Sequence, residues 1–178
     1  MNNSVQVLQN DFGHAVFTVV GMSLSARDEM NRLGNEWISA GLAAALCGDD
    51  YESHRLEDGL KYKVVVVPGS DILLPRGNRT MPELREYARR AFGYEPLPAG
   101  GMFRLREIAF PWMVEKDIFY ISGTDRLIKD DYGTPHTLLV YRYISSAQAG
   151  VEAPINYERV RSPADQIDTK YALAFLDP

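Results

Sequence analysis

One cysteine, three histidines and no long uncharged run are what this chain of 178 residues has to offer in the way of special chemistry. A lone Cys47 excludes an internal disulfide, and with only His14, His54 and His136 as imidazoles little is left from which to build a zinc cage. The longest stretches without charge, Ala15 to Ala26 and Ile38 to Gly48, fall short of the roughly 20 apolar residues that a spanning helix requires. Arg27 is the first basic residue and no small-residue cleavage site follows an apolar run, so no secretion signal is expected. The Gly-x-Ser-x-Gly elbow, the Lys-Ser/Thr ending of a P-loop and the Gly-x-Gly-x-x-Gly fingerprint are also missing. These absences point to a cytoplasmic chain with no cofactor, no membrane partner and no assignable catalytic residue.

The length suits one domain with a proper core. Residues 1–14 are polar and read as a tail or loop, and the Val- and Phe-rich run from Ala15 to Met22 reads as a strand. Ser25 with Asp28 three residues on forms a capping-box variant, opening a helix expected over about 25–47. On its apolar face stand Gly34 and Gly41, which argue for close approach of a neighbouring element or, in the alternative, for an oligomer contact. The acidic run from Asp49 to Asp58 reads as a solvated connector. Leu60 to Val67 begins with alternation and ends wholly apolar, as suits a strand entering the centre of a sheet. Val67-Pro68-Gly69-Ser70 has the look of a phosphate-binding turn without the residues that complete one.

Thr80-Met-Pro-Glu83 is a capping box, and the apolar spacing that follows predicts a helix over about 80–92, closed by Gly93. Residues 102–107 fit either a strand or a helix. Further strands are expected over Asp117 to Ser122 and Thr137 to Ile144, paired antiparallel, near Ile155 to Val160 at an edge, and over Tyr171 to Leu176. The result is a single α+β domain, an antiparallel or mixed sheet packed by two main helices.

From about residue 80 to 178 the chain resembles an uncharacterised type of small bacterial or phage-associated domain. The likeness rests on Leu97-Pro98-Ala99 leading to Phe103-Arg104-Leu105-Arg106, on Asp117 to Ser122, on Leu127 to His136, and on Tyr171 to Leu176. It implies continuity of fold and a mobile-element origin, and it carries no activity. In such domains the turn is richer in acids, whereas here Tyr132 and Thr134 stand at two of those places.

Charge is unevenly spread. Residues 76–106 hold seven arginines against three glutamates, a net +4 within a chain of net −5. Arg85, Arg89, Arg104 and Arg106 are the candidates for binding a protein or other anionic partner, with nucleic acid disfavoured by the overall acidity. The competing reading is that carboxylates elsewhere in the fold hold these guanidiniums. Arg85 has no acid at i±3 or i±4 and therefore needs a distant partner. Tyr94 and Phe103 are the aromatic platforms that stacking on nucleic acid would use. Asp130, Asp131 and His136 offer the alternative, a divalent-metal hydrolase site, although a hairpin wants the same turn residues. His14 and His54 are expected to satisfy local hydrogen bonds.

Overall fold

A computed structural model describes residues 7–33, 49–72, 81–123, 128–129, 135–144, 151–152, 155–159 and 171–178. Its elements in chain order are β1 (Leu8–Gln9), β2 (Ala15–Val20), α1 (Ala26–Leu33), a 3₁₀ helix (Asp49–His54), β3 (Lys61–Pro68), α2 (Gly69–Ile72), α3 (Met81–Phe92), β4 (Glu95–Pro96) and α4 (Ala99–Glu115). There follow β5 (Tyr120–Ser122), β6 (Ile128–Lys129), β7 (Pro135–Tyr141), β8 (Tyr143–Ile144), β9 (Val151–Glu152), β10 (Ile155–Arg159) and β11 (Tyr171–Asp177). The main sheet runs β1-β2-β3-β11-β5-β7-β10. Only β11 with β5 is parallel along this path, so the sheet is mixed and the fold α+β.

Val64, Val65, Val66 and Val67 show why β3 lies inside. All four are wholly buried, and each contributes roughly 1.5–3 kcal/mol by leaving water. Alternation sends Val64 and Val66 to one face, where they meet Phe17, Ala174 and the α4 residues Met102, Phe103 and Trp112. Val65 and Val67 go to the other, against Leu173, Phe175 and the α3 residues Leu84 and Ala88. Helices therefore cover both faces.

The local signals at helix ends act as read. The Asp28 amide donates to Ser25 Oγ at 3.1 Å, and Ser25 Oγ donates to the Asp28 carboxylate at 2.6 Å. The Gly93 amide closes α3 on the Arg89 carbonyl at 2.9 Å. The paired strands expected around 117–122 and 137–144 are β5 and β7, joined antiparallel through Ile121 and Val140.

Four expectations need correction or location. Residues 7–14 are no tail: β1 pairs with β2, and His14 is buried. The acidic connector is no wholly solvated loop, because Tyr51, His54 and Leu56 are buried under α4. Residues 102–107 are helix, part of the 17-residue α4, so two main helices undercount the described ones. Pro111 sits on the exposed side within that helix and does not end it. Termination comes at Asp117, which takes φ of 53° while Ile118 N–H donates to Met113 O at 2.9 Å and Asp117 N–H to Val114 O at 3.3 Å. This is a Schellman ending with Asp in the position glycine usually holds. The first helix is described only over α1, and Gly34, Gly41 and Cys47 lie outside the described residues.

Candidate functional site: a cleft at the end of the central strands

The four arginines do not converge. Arg85 is 5% exposed and donates through Nη2 to the Gly123 carbonyl at 2.8 Å, supplying the distant partner its sequence context lacked. Arg104 is 4% exposed and is held by Glu29 of α1, with Glu107 at 3.2 Å and Met22 Sδ at 3.0 Å. Arg106 is half-buried on α4, about 200° around the helix from Arg104, so the shared face that a strand would have provided does not exist. Arg89 alone of the four is well exposed, and it shares Glu86 with its neighbour Arg90 at 3.8 and 2.5 Å. Burial explains the outcome: a guanidinium withdrawn from water must find acceptors inside the fold, and two of these arginines have done so.

Other sequence candidates fare variously. Tyr94 and Phe103 are 2% and 1% exposed, which removes both as stacking platforms. Asp130 and Asp131 lie outside the described residues, and His136 is described only as backbone of β7. Among the described residues no group of three or more His, Cys, Asp or Glu could hold a metal ion. No described helix is long and apolar enough to cross a membrane.

A partly open concavity lies where β2 begins and β3 ends. It offers about 260 Å³ and is lined by Gln9, Gly13, Ala15, Pro68, Ser70, Asp71, Trp112, Lys116 and Ile118. The hairpin between β1 and β2 forms one wall. Asn10 shapes that hairpin, since its Oδ1 accepts from the amides of Phe12 at 3.2 Å and His14 at 3.1 Å. The chain leaving β3 brings Ser70 and Asp71 to the mouth, where Ser70 Oγ donates to Asp71 Oδ1 at 3.0 Å and Asp71 stays 45% exposed. The end of α4 supplies Trp112 and Lys116, whose ammonium is 2.8 Å from Glu115.

Outside the cavity lining, on the face of the sheet that carries Phe92 and Tyr94, lies a chain of polar groups whose side chains approach the cleft residues through Asp71. Asn10 Nδ2 donates to Tyr94 Oη at 2.5 Å, and Tyr94 Oη lies 2.8 Å from His14 Nδ1. Phe12, Phe92 and Tyr94 enclose the imidazole, with Phe92 edge-on at 4.7 Å. Burial holds the His14 pKa below its usual value, the Asp71 charge only partly opposing, so the ring is neutral at physiological pH. Burial likewise raises Tyr94, which keeps its proton. Tyr94 Oη accepts from Asn10, and the imidazole tautomer sets whether it donates to His14 Nδ1 or accepts from it. His14 Nε2 is 4.0 Å from Asp71 Oδ2.

Sequence reasoning missed this cleft. Its one signal was the Val67-Pro68-Gly69-Ser70 turn after a strand, the last three residues of which reach or border the cavity. His14 does satisfy a hydrogen bond as expected, yet its side-chain partner is 80 residues away and not local.

Comparison with protein-family models, with curated proteins and with solved structures finds no match to this chain.

Proposed function

We propose that the protein is a cytoplasmic accessory domain whose recognition site is this cleft, and that the arginine-rich segment serves mainly as scaffold. The observation that carries the reading is the concavity of about 260 Å³ that the β1–β2 hairpin, the chain after β3 and the end of α4 form around Ser70, Asp71, Trp112 and Lys116. A concavity with a few convergent polar groups is where small ligands bind. Asp71 and Lys116 on the rim provide one charge of each sign, which favours small polar ligands over apolar ones.

The test is thermal unfolding across a library of small polar metabolites, with wild type and an Asp71→Ala/Lys116→Ala variant side by side. A ligand at 100 times its Kd stabilises by about 2.7 kcal/mol, which at this chain length raises Tm by roughly 5–10 °C. The variant should lose that rise. A library that produces no rise specific to the wild type would remove the reading.

One observation favours a second reading, an anionic partner held on α3. Arg89 and Arg90 are 53% and 80% exposed and share one carboxylate, leaving that turn of helix net positive. Elution from a heparin column is then expected at lower salt for Arg89→Ala/Arg90→Ala than for wild type. Coincident elution of the two would discard it.

A further inference from the structure

Resting on the cleft reading above, we propose that the ligand is a small zwitterion whose ammonium meets Asp71 and whose carboxylate meets Lys116, the two joined by an apolar segment. The cleft holds one group of each sign, and they come from different walls, Asp71 from α2 and Lys116 from the end of α4. Among the described residues Asp71 has no Lys or Arg within ion-pair distance, and the hydroxyl of Ser70 that donates to its Oδ1 leaves its charge in place. Lys116 is 46% exposed and its neighbour Glu115 69%, a solvent-screened pair that exchanges readily for a ligand carboxylate. A cation alone would meet Asp71 but sit against Lys116, and an anion alone would meet Lys116 but sit against Asp71. A ligand with both charges satisfies both walls.

The rest of the cleft fits the same chemistry. Ala15, Pro68, Trp112 and Ile118 line the same space with apolar surface, which suits a hydrocarbon linker between the charged ends. The volume of about 260 Å³ equals roughly eight or nine waters, room for a chain of about as many non-hydrogen atoms. The assigned class is therefore an amino acid whose two charged ends are set apart by methylene groups.

Titrations of the ¹⁵N-labelled full chain at neutral pH with 6-aminohexanoate, with pentylamine and with hexanoate test the assignment, since the second lacks the carboxylate and the third the ammonium. The backbone amides of Gly13, Ser70, Asp71 and Lys116 and the indole N–H of Trp112 are followed. The expected result is saturable shifts at these positions with 6-aminohexanoate, at a Kd about tenfold or more below that of either singly charged compound. Asp71→Asn should weaken 6-aminohexanoate by about tenfold and leave hexanoate no weaker, and Lys116→Met should weaken it as much and leave pentylamine no weaker. Both side chains are exposed, so neither variant removes a buried contact. Pentylamine or hexanoate binding as tightly as 6-aminohexanoate would overturn the zwitterion and leave the cleft a binding site of another kind. Binding of 6-aminohexanoate unchanged in either variant would also overturn it. Silence of the cleft residues toward all three probes overturns the zwitterion, while the library screen decides separately whether the cleft binds anything.

Discussion

Replacing Arg104 by leucine is expected to cost about 3–5 kcal/mol, because it strands the Glu29 carboxylate inside the fold without its counter-charge. Glu29 is 1% exposed, and its Oε1 has no hydrogen-bond partner, so Arg104 at Oε2 supplies the main compensation for its burial. Against a total stability of about 5–15 kcal/mol this is a large fraction, and Tm should fall by roughly 6–20 °C. Arg32 and Glu107, paired at 2.9 Å on the exposed side, would survive the change. The double variant Glu29→Leu/Arg104→Leu should recover most of the loss, since an apolar pair of similar volume needs no desolvation of charge. Urea unfolding of both variants decides the matter: a single-variant loss under about 1 kcal/mol would mean that the pair does not lock α1 to α4.

The same carboxylate gives the pair a sign in pH. Burial raises the Glu29 pKa and Arg104 pulls it back only in part. Between the unfolded value and the raised folded one, the native state binds more proton than the unfolded state. This group's contribution to stability is therefore fullest below that window and declines as pH rises through it. The stability difference between wild type and Glu29→Gln should fall from acid toward neutral pH, opposite to the usual carboxylate.

Gly21→Ala is the second large effect. A Cβ there would drive into the backbone carbonyl of Glu57 and also press on the Tyr62 ring. Neither wall can retreat freely: the Gly21 amide donates to Leu60 O at 2.7 Å, and Gly21 O accepts from the Gly59 amide at 3.0 Å. The expected loss is about 3 kcal/mol, at the upper end for overpacking. A urea midpoint within error of wild type would show that the 57–60 segment moves aside more easily than these bonds imply.

Local chemistry was what the sequence made legible. Ser25 with Asp28, Gly93 after Phe92, and the Val64–Val67 run each carry their own instruction: the first opens α1, the second closes α3 and the third is buried in β3. The long helix α4 did not announce itself, for it holds Gly100, Gly101 and Pro111 and buries residues around most of its circumference. A helix buried around most of its circumference shows little amphipathic period to detect. Gly100 is there because a side chain would meet the backbone of His54 and Leu56 at 3.1 and 3.2 Å. The charge pattern misled for a related reason: Arg104 looks the same in sequence whether it faces solvent or Glu29, which lies 75 residues earlier. The cleft is likewise built by residues far apart in the chain, from Gln9 and Gly13 to Trp112 and Ile118, and residue spacing cannot report it.

The placement of β11 between β3 and β5 bears on how the chain is made. On the ribosome, every earlier strand emerges before the one that must lie at the centre, so β3 and β5 wait with their inner edges open. Loop closure over this separation makes their joining a late event. Until Tyr171 to Asp177 arrives, the nascent chain presents two unpaired, valine- and isoleucine-bearing edges. Open edges of this kind are prone to pairing with other chains during synthesis, and a chain ending before Tyr171 would lack the strand that joins β3 to β5.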